Sequence, residues 1–208
     1  MCSEQNRETI EAYNSELGRY ISHTPQDYNK SHVPLLRWLN AAMDMIPTHG
    51  TRILEIGSGT GRDAMFMKGH GYTVDCSDAA SSFVDYLRQQ DIPAFQLDIL
   101  RDSIEKKYEM IIANAVVPHF TDQDLRVALG NIRGALTDQG LFALSAKQGK
   151  GETWTQEKLG KKRYIRYWKP QMLREMLGSY GFEIVYIETD TRGDLNTHIW
   201  THIIARKA

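Results

Sequence analysis

Two periodicities divide the chain. In residues 7–21 (RETIEAYNSELGRYI) and 31–46 (SHVPLLRWLNAAMDMI) apolar side chains return every three or four positions, the second segment aligning Val33, Leu36, Leu39, Ala42, Met43 and Ile46 on one helical face. Ser31 is placed to cap that helix, and Pro34 fits inside its first turn. From Thr51 the pattern changes. RILEI, YTVDCSD, AFQLDI, YEMIIANAV and GLFALSAK are short apolar runs that predict strands, and RDAMFMKGHG, ASSFVDYLRQQD, DQDLRVALGNIRGAL and KPQMLREMLGSYG predict helices. The near-continuous apolarity of YEMIIANAV suits a strand buried on both faces.

Strands alternating with helices need crossover connections, and these make neighbouring strands parallel. The expected fold is therefore α/β and doubly wound, a mostly parallel seven-stranded sheet with helices on both faces. The tail, FEIVYIETDTRGDLNTHIWTHIIARKA, holds two strand-like runs separated by DTRGDLN and no helix. Two strands joined by a tight polar loop pair antiparallel, so the last strand should run against the others. Residues 1–50 are expected to form an N-terminal helical cap or lid on the same domain, and residues 51–208 the Rossmann-like body.

Composition narrows the functional classes. With 41% hydrophobic and 25% charged residues the chain reads as one ordinary globule. A formal net charge of -1 supplies no global field for a polyanion, which argues against a nucleic-acid partner. The N-terminal MCSEQNRETI has neither the basic flank nor the apolar run of a signal peptide, and MIIANAVV is too short to span a bilayer, so a cytoplasmic protein with no membrane association is expected. Two cysteines, Cys2 and Cys76, make neither a disulfide framework nor a zinc cluster, and the seven histidines show no paired metal spacing. No metal is expected.

The chemistry begins at ILEIGSGTGRDA. A dinucleotide fingerprint, G-x-G-x-x-G, brings pyrophosphate against a helix N-terminus. Here the loop is Gly57-Ser58-Gly59-Thr60-Gly61, and Glu55 stands two residues before it. A carboxylate there disfavours phosphate and suits a cofactor bearing a nucleoside and a positive charge. Asp78 closes the second strand about twenty residues after the loop, where an acidic side chain can take both ribose hydroxyls. Asp98 closes the third.

On these residues the chain resembles the class I S-adenosylmethionine-dependent methyltransferases over most of residues 8–208. ILEIGSGTGRDA is similar to their first motif, VDCSDAA to the second acidic motif, QLDI to the adenine motif and IIANAVVPHF to the fourth-strand motif. The resemblance implies S-adenosyl-L-methionine as cofactor, with methyl transfer to an O, N or S atom of a small molecule. It implies that Gly57, Ser58, Gly59 and Gly61, with Arg62 and Asp63 at the start of the next helix, surround the methionyl part and ribose. Asp78 would hold the ribose hydroxyls, Ala79 would pack on adenine, and Asp98 with the Ile99 backbone would read its amino edge. Asn114 and Ala115 would meet the methionyl end, Glu55 would act on the cofactor amine through loop amides or water, and Tyr20 would close over the cofactor. In DCSDAA, Cys76 and Ser77 stand where many relatives have glycine before the acidic residue, which leaves Asp75 or Asp78 as ribose ligand; strand alternation favours Asp78.

Methyl transfer from a sulfonium needs alignment more than apparatus, and a base only where the acceptor must lose a proton. His119, just past the fourth strand, is the candidate base and an acceptor contact. NAVVPHF lacks the Asn/Asp-Pro-Pro-aromatic pattern of enzymes that methylate amino groups of DNA bases. Residues 150–170 interleave Lys158, Lys161, Lys162, Arg163, Arg166 and Lys169 with Trp154, Tyr164, Tyr167 and Trp168. Three roles compete: a solvated face, an anchor for an acidic acceptor, and a nucleic-acid platform. In an extended RYIRYW, Arg163, Ile165 and Tyr167 share one face and Tyr164, Arg166 and Trp168 the other, so one arginine points inward. Tyr13, Lys147, Arg163, Arg166 and Trp168 join His119 as candidate acceptor contacts, with Tyr13 reaching down from the lid. The competing expectations are RNA- or protein-directed methylation through residues 158–169, a non-catalytic cofactor-binding protein, and an NAD or nucleotide-sugar enzyme on the same fold. Oligomeric state is not legible.

Overall fold

The computed structural model describes residues 3–28, 33–191 and 199–208. The expected cap of Ser31, the thiol of Cys2 and most of the DTRGDLN loop lie outside these residues. Two helices, α1 (Glu4–Ser15) and α2 (Leu17–Ser22), precede α3 (Val33–Met43). Five strands then alternate with three helices: β1 (Arg52–Ile56), α4 (Arg62–Gly69), β2 (Thr73–Asp78), α5 (Ser81–Gln89), β3 (Ala94–Gln96), β4 (Tyr108–Ala113), α6 (Asp122–Ala135) and β5 (Leu136–Lys147). After them come β6 (Glu152–Thr155), β7 (Arg163–Arg166), α7 (Pro170–Ser179), β8 (Phe182–Thr191) and β9 (Ile199–Lys207).

The main sheet has seven strands in the order β3-β2-β1-β4-β5-β9-β8. β9 runs antiparallel to both β5 and β8, and the pairs among β1 to β5 are parallel, as the tail predicts. The apolar runs are continuous because both faces are covered. Leu54, Ile111, Phe142 and Ile203 face a core completed by Leu125 and Leu129 of α6 and Leu173 and Leu177 of α7. Their neighbours Ile53, Met110, Ile112, Leu141 and Ile204 face the opposite core, built with Leu35, Trp38 and Leu39 of α3 and Met67 of α4.

Three expectations change. The helix over residues 7–21 breaks at Glu16 (φ -122°, ψ 31°). Asn14 is drawn off to α5, where its Oδ1 accepts from the Ser82 backbone N–H at 3.0 Å, a competition typical of Asn against helix propagation. The face of α3 is rotated from the expected one, burying Leu35 and Trp38 while Val33 is exposed. Trp38 decides the phase, because its indole N–H donates to the Ile203 carbonyl of β9 at 3.2 Å. α3 thus belongs to the body of the domain, and only α1 and α2 lie over the cleft. Finally, β6 and β7 form an antiparallel hairpin (Glu152↔Arg166, Trp154↔Tyr164) within the basic segment.

Candidate active site

A cleft of about 860 Å³ opens at the carboxyl ends of β1, β2 and β4. This is where ligands enter doubly wound sheets. Its floor is the loop after β1, where Gly57, Gly59 and Gly61 all have positive φ (69°, 55° and 84°). At Gly57 a Cβ would lie 2.6 Å from Val116 Cγ2, so glycine is required for both conformation and space. Asp78, at the end of β2, spans the loop: one oxygen accepts from the Gly59 N–H (3.0 Å) and the other from the Ala80 N–H (2.9 Å). Burial raises its pKa to about 6 against the pull of these amides. Asp75 is elsewhere, taking Lys106 (3.1 Å) and the Tyr108 hydroxyl (2.9 Å), and does not line the cleft. Ala79, Asp98 and Ile99 line the same wall as Asp78. Asp98 sits in the turn beyond β3, its Oδ1 accepting from the Leu100 N–H at 3.0 Å.

Glu55 is buried beneath the loop, and its Oε2 has no hydrogen-bond partner among the described residues. Burial first, then the charge of Asp63, pushes it up to about 8. Asp63 behaves oppositely. Burial opposes its ionisation, but Arg62 (2.8 Å), the Tyr28 hydroxyl (2.6 Å) and the Asn114 amide (2.5 Å) outweigh it and hold it below the usual carboxylate range. Asn114 in turn accepts from Ser145 Oγ (2.7 Å), which itself accepts from the Ala115 N–H (2.8 Å). That linkage holds Ala115 at φ 62°, a left-handed backbone for a non-glycine residue at the lip of β4. Arg62, Asp63, Asn114 and Ala115 therefore line the cleft as one braced unit.

The other end of the cleft meets α1 and the hairpin. His119 closes a short 3-10 turn after β4. Its Nδ1 lies 2.8 Å from the Tyr164 carbonyl, which can only accept, so that nitrogen carries the proton. Burial, and next the positive charge of Arg163, lower its pKa to about 3, so the ring is neutral. Nε2 then accepts from the Tyr13 hydroxyl (2.9 Å), whose oxygen receives a hydrogen bond from Arg163 Nη1 (3.0 Å). Tyr13 is itself raised by burial, partly offset by Arg163. Tyr20 lies over the glycine loop, edge-on to Phe83 at 4.9 Å, with Lys158 Nζ 4.1 Å above its ring.

Of the expected acceptor contacts, Tyr13, His119, Lys147 and Arg163 line the cleft; Arg166 and Trp168 do not. Arg166 occupies the other face of β7, as its alternation requires, and Trp168 lies two residues beyond that strand. Arg166 is held by Asp122 (2.6 Å) and Glu152 (3.1 Å), and Trp168 is fully buried with its indole N–H on the Val117 carbonyl (3.2 Å). Sequence reasoning overlooked Phe83, Ile165 and Trp200 on the cleft wall. The inward phase of Arg163 already implied Ile165, whereas nothing local marked Trp200, which β9 delivers from the far end of the chain. Among the described residues no group of three His, Cys, Asp or Glu side chains converges to hold a metal.

Residues 54–142 match a family model described as a methyltransferase domain. Among curated proteins none matches the chain. Solved structures share its fold at low identity. Magnesium protoporphyrin IX methyltransferase from Synechocystis PCC 6803 superposes with a TM-score of 0.78 at 14% identity, covering 99% of this chain and all of that one. A 1,6-didemethyltoxoflavin-N1-methyltransferase from Burkholderia thailandensis gives 0.72 at 17% identity, over 98% and 87% of the two chains. A methyltransferase from Methanosarcina mazei gives 0.69 at 14% identity, over 80% and 96%. Residues 54–142 thus read as a methyltransferase domain, on a fold shared with methyltransferases solved with S-adenosylmethionine or S-adenosylhomocysteine bound.

Proposed function

We propose that the cleft binds S-adenosyl-L-methionine over the glycine loop and that the chain transfers its methyl group to a small molecule entering between α1, the His119 turn and the β6–β7 hairpin. The observation that carries this is the pair of buried carboxyls at the loop: Asp78 fixed at the tip of β2 with lone pairs still facing the cleft, and Glu55 buried beside it with its Oε2 unpartnered among the described residues. An ionisable carboxyl is costly to bury unsatisfied, and a ligand with ribose hydroxyls and an ammonium group answers both. When bound, the cofactor supplies an electrophilic methyl on a sulfonium.

The chain's own residues do the rest. Asp78 accepts from the ribose hydroxyls, Ala79 and Phe83 border the adenine, and Asp98 with the Ile99 backbone reads its edge. The loop glycines admit the backbone to the methionyl portion, next to the braced Arg62–Asp63–Asn114–Ala115 unit. Tyr13 and Tyr20 exclude water from above. His119 serves as the acceptor that orients Tyr13: neutral, tied through Nδ1 and occupied at Nε2, it is not poised as a base. Alignment of an acceptor that is already nucleophilic then supplies the rate.

A small acceptor fits a roofed cleft of about 860 Å³. Two structural neighbours have small-molecule names attached, magnesium protoporphyrin IX and 1,6-didemethyltoxoflavin. The basic segment supports the same reading, since Arg166 is spent on two carboxylates, Lys161 meets Glu16 at 3.8 Å and Lys158 caps Tyr20. Calorimetry with S-adenosylhomocysteine should show micromolar or tighter binding and NADH none. Labelled S-adenosylmethionine with a metabolite extract should then yield a labelled small molecule. Absence of any binding to the demethylated cofactor would overturn the assignment.

A further inference from the structure

The two ends of the cleft differ in their ionisable side chains. Glu55, Asp63, Asp78 and Asp98 lie at the glycine-loop end, where Arg62 is bonded to Asp63. At the other end Lys147, Lys158 and Arg163 face the cavity with one carboxylate, Glu157. Arg163 stands out among them. Its Nη1 donates to the neutral hydroxyl of Tyr13, its Nε is buried with no hydrogen-bond partner, and among the described residues no carboxylate comes within ion-pair distance of it. Arg166, three residues along and facing away, has two. A half-buried guanidinium facing the cleft without a counter-charge is an anion site in waiting, and its planar fork matches a carboxylate bidentately. His119, the nearest titratable group on the neighbouring turn, is uncharged and cannot supply the missing anion. Lys147 approaches from β5, its Nζ 5.8 Å from the ring centre of Trp200. Ile165, Pro118 and Trp200 line the same end and offer an apolar wall.

We propose that the methyl acceptor is an organic acid with an apolar body, whose carboxylate is seated on Arg163 with Lys147 as second cation. This rests on the cofactor occupying the glycine-loop end. The cationic end holds the acceptor's carboxylate, so the acceptor enters in one orientation, acid group away from the cofactor.

The test uses the whole protein saturated with S-adenosylhomocysteine and two matched probe pairs, benzoate with benzamide and 2-naphthoate with 2-naphthamide, with binding followed by ligand-observed NMR. Each acid should bind at least tenfold more tightly than its amide. That preference should fall below twofold in Arg163→Gln and persist in Arg166→Gln. Arg163→Lys should keep part of it, which distinguishes loss of charge from loss of the fork and serves in place of Arg163→Gln if that variant does not fold. Equal affinity for acid and amide, absence of binding by both pairs, or a preference that survives Arg163→Gln would each overturn the proposal. Failure to bind S-adenosylhomocysteine at the outset is a separate result and refutes the cofactor reading beneath it.

Discussion

Asp78 holds the glycine loop to the tip of β2 through Gly59 and Ala80 and also faces the cleft, so its two functions can be separated by the choice of substitution. Asp78→Asn keeps an acceptor for one amide and removes the charge. It should weaken S-adenosylhomocysteine binding about 10- to 100-fold, or about 1.4 to 2.7 kcal/mol, the range for stranding hydrogen bonds to a charged group. Calorimetry on the variant checks this, and unchanged affinity would remove Asp78 as the ribose ligand. The carboxylates were legible in the sequence because strand alternation and distance from a glycine loop fix where such residues lie. Asp63 and Asn114 were legible as positions but not as partners: residues 51 apart bond at 2.5 Å only once β1 and β4 are neighbours. The neutrality of His119 was equally hidden, because it depends on a carbonyl and a guanidinium brought in by β7.

At the scale of elements, periodicity found nearly every strand and helix of the body, since both faces of the sheet are buried and each run is apolar enough to count. The hairpin escaped because its residues are selected for charge and for the cleft, with Glu152, Thr153 and Trp154 exposed. The two helices of the roof differ in how firmly they are held. α1 is fastened along its length: Ser3 Oγ donates to Asp124 (2.5 Å), Thr9 Oγ1 accepts from the Tyr164 N–H (2.9 Å), and Asn14 accepts from α5. α2 has no side-chain cap and buries no residue fully. α1 is thus a wall and α2 the looser flap that carries Tyr20. Deleting residues 1–22 should reduce S-adenosylhomocysteine affinity at least tenfold while the sheet still unfolds cooperatively, because neither core is built from α1 or α2. Calorimetry and thermal unfolding of the truncated protein check both halves.

For the molecule as a whole, the buried carboxyls make stability depend on pH. Glu55 is raised from 4.5 to about 8 and Asp78 from 3.8 to about 6, so each stabilises the fold fully below its unfolded pKa and loses that contribution as pH rises through its folded one. His119, lowered from 6.5 to about 3, acts in the opposite sense, adding stability that is present above 6.5 and lost as pH falls. Between about pH 6.5 and 8 Glu55 therefore acts alone of the three. The ligand-free protein should lose up to about 2 kcal/mol across that interval, from roughly 1.4 kcal/mol per pH unit for one proton. Glu55→Gln should abolish the loss, and bound S-adenosylhomocysteine should reduce it by favouring the ionised carboxylate. Urea unfolding at the two pH values measures all three. The placement of β9 has a further consequence, for assembly. β9 follows β8 in sequence yet is interior to the sheet, hydrogen-bonded to β5 on one side and β8 on the other. A nascent chain that has not yet emerged through residues 199–207 holds two bare strand edges and cannot close its hydrophobic layers. Closure of the sheet is thereby deferred until residues 199–207 have emerged, and any truncation that reaches β9 releases a chain primed to aggregate.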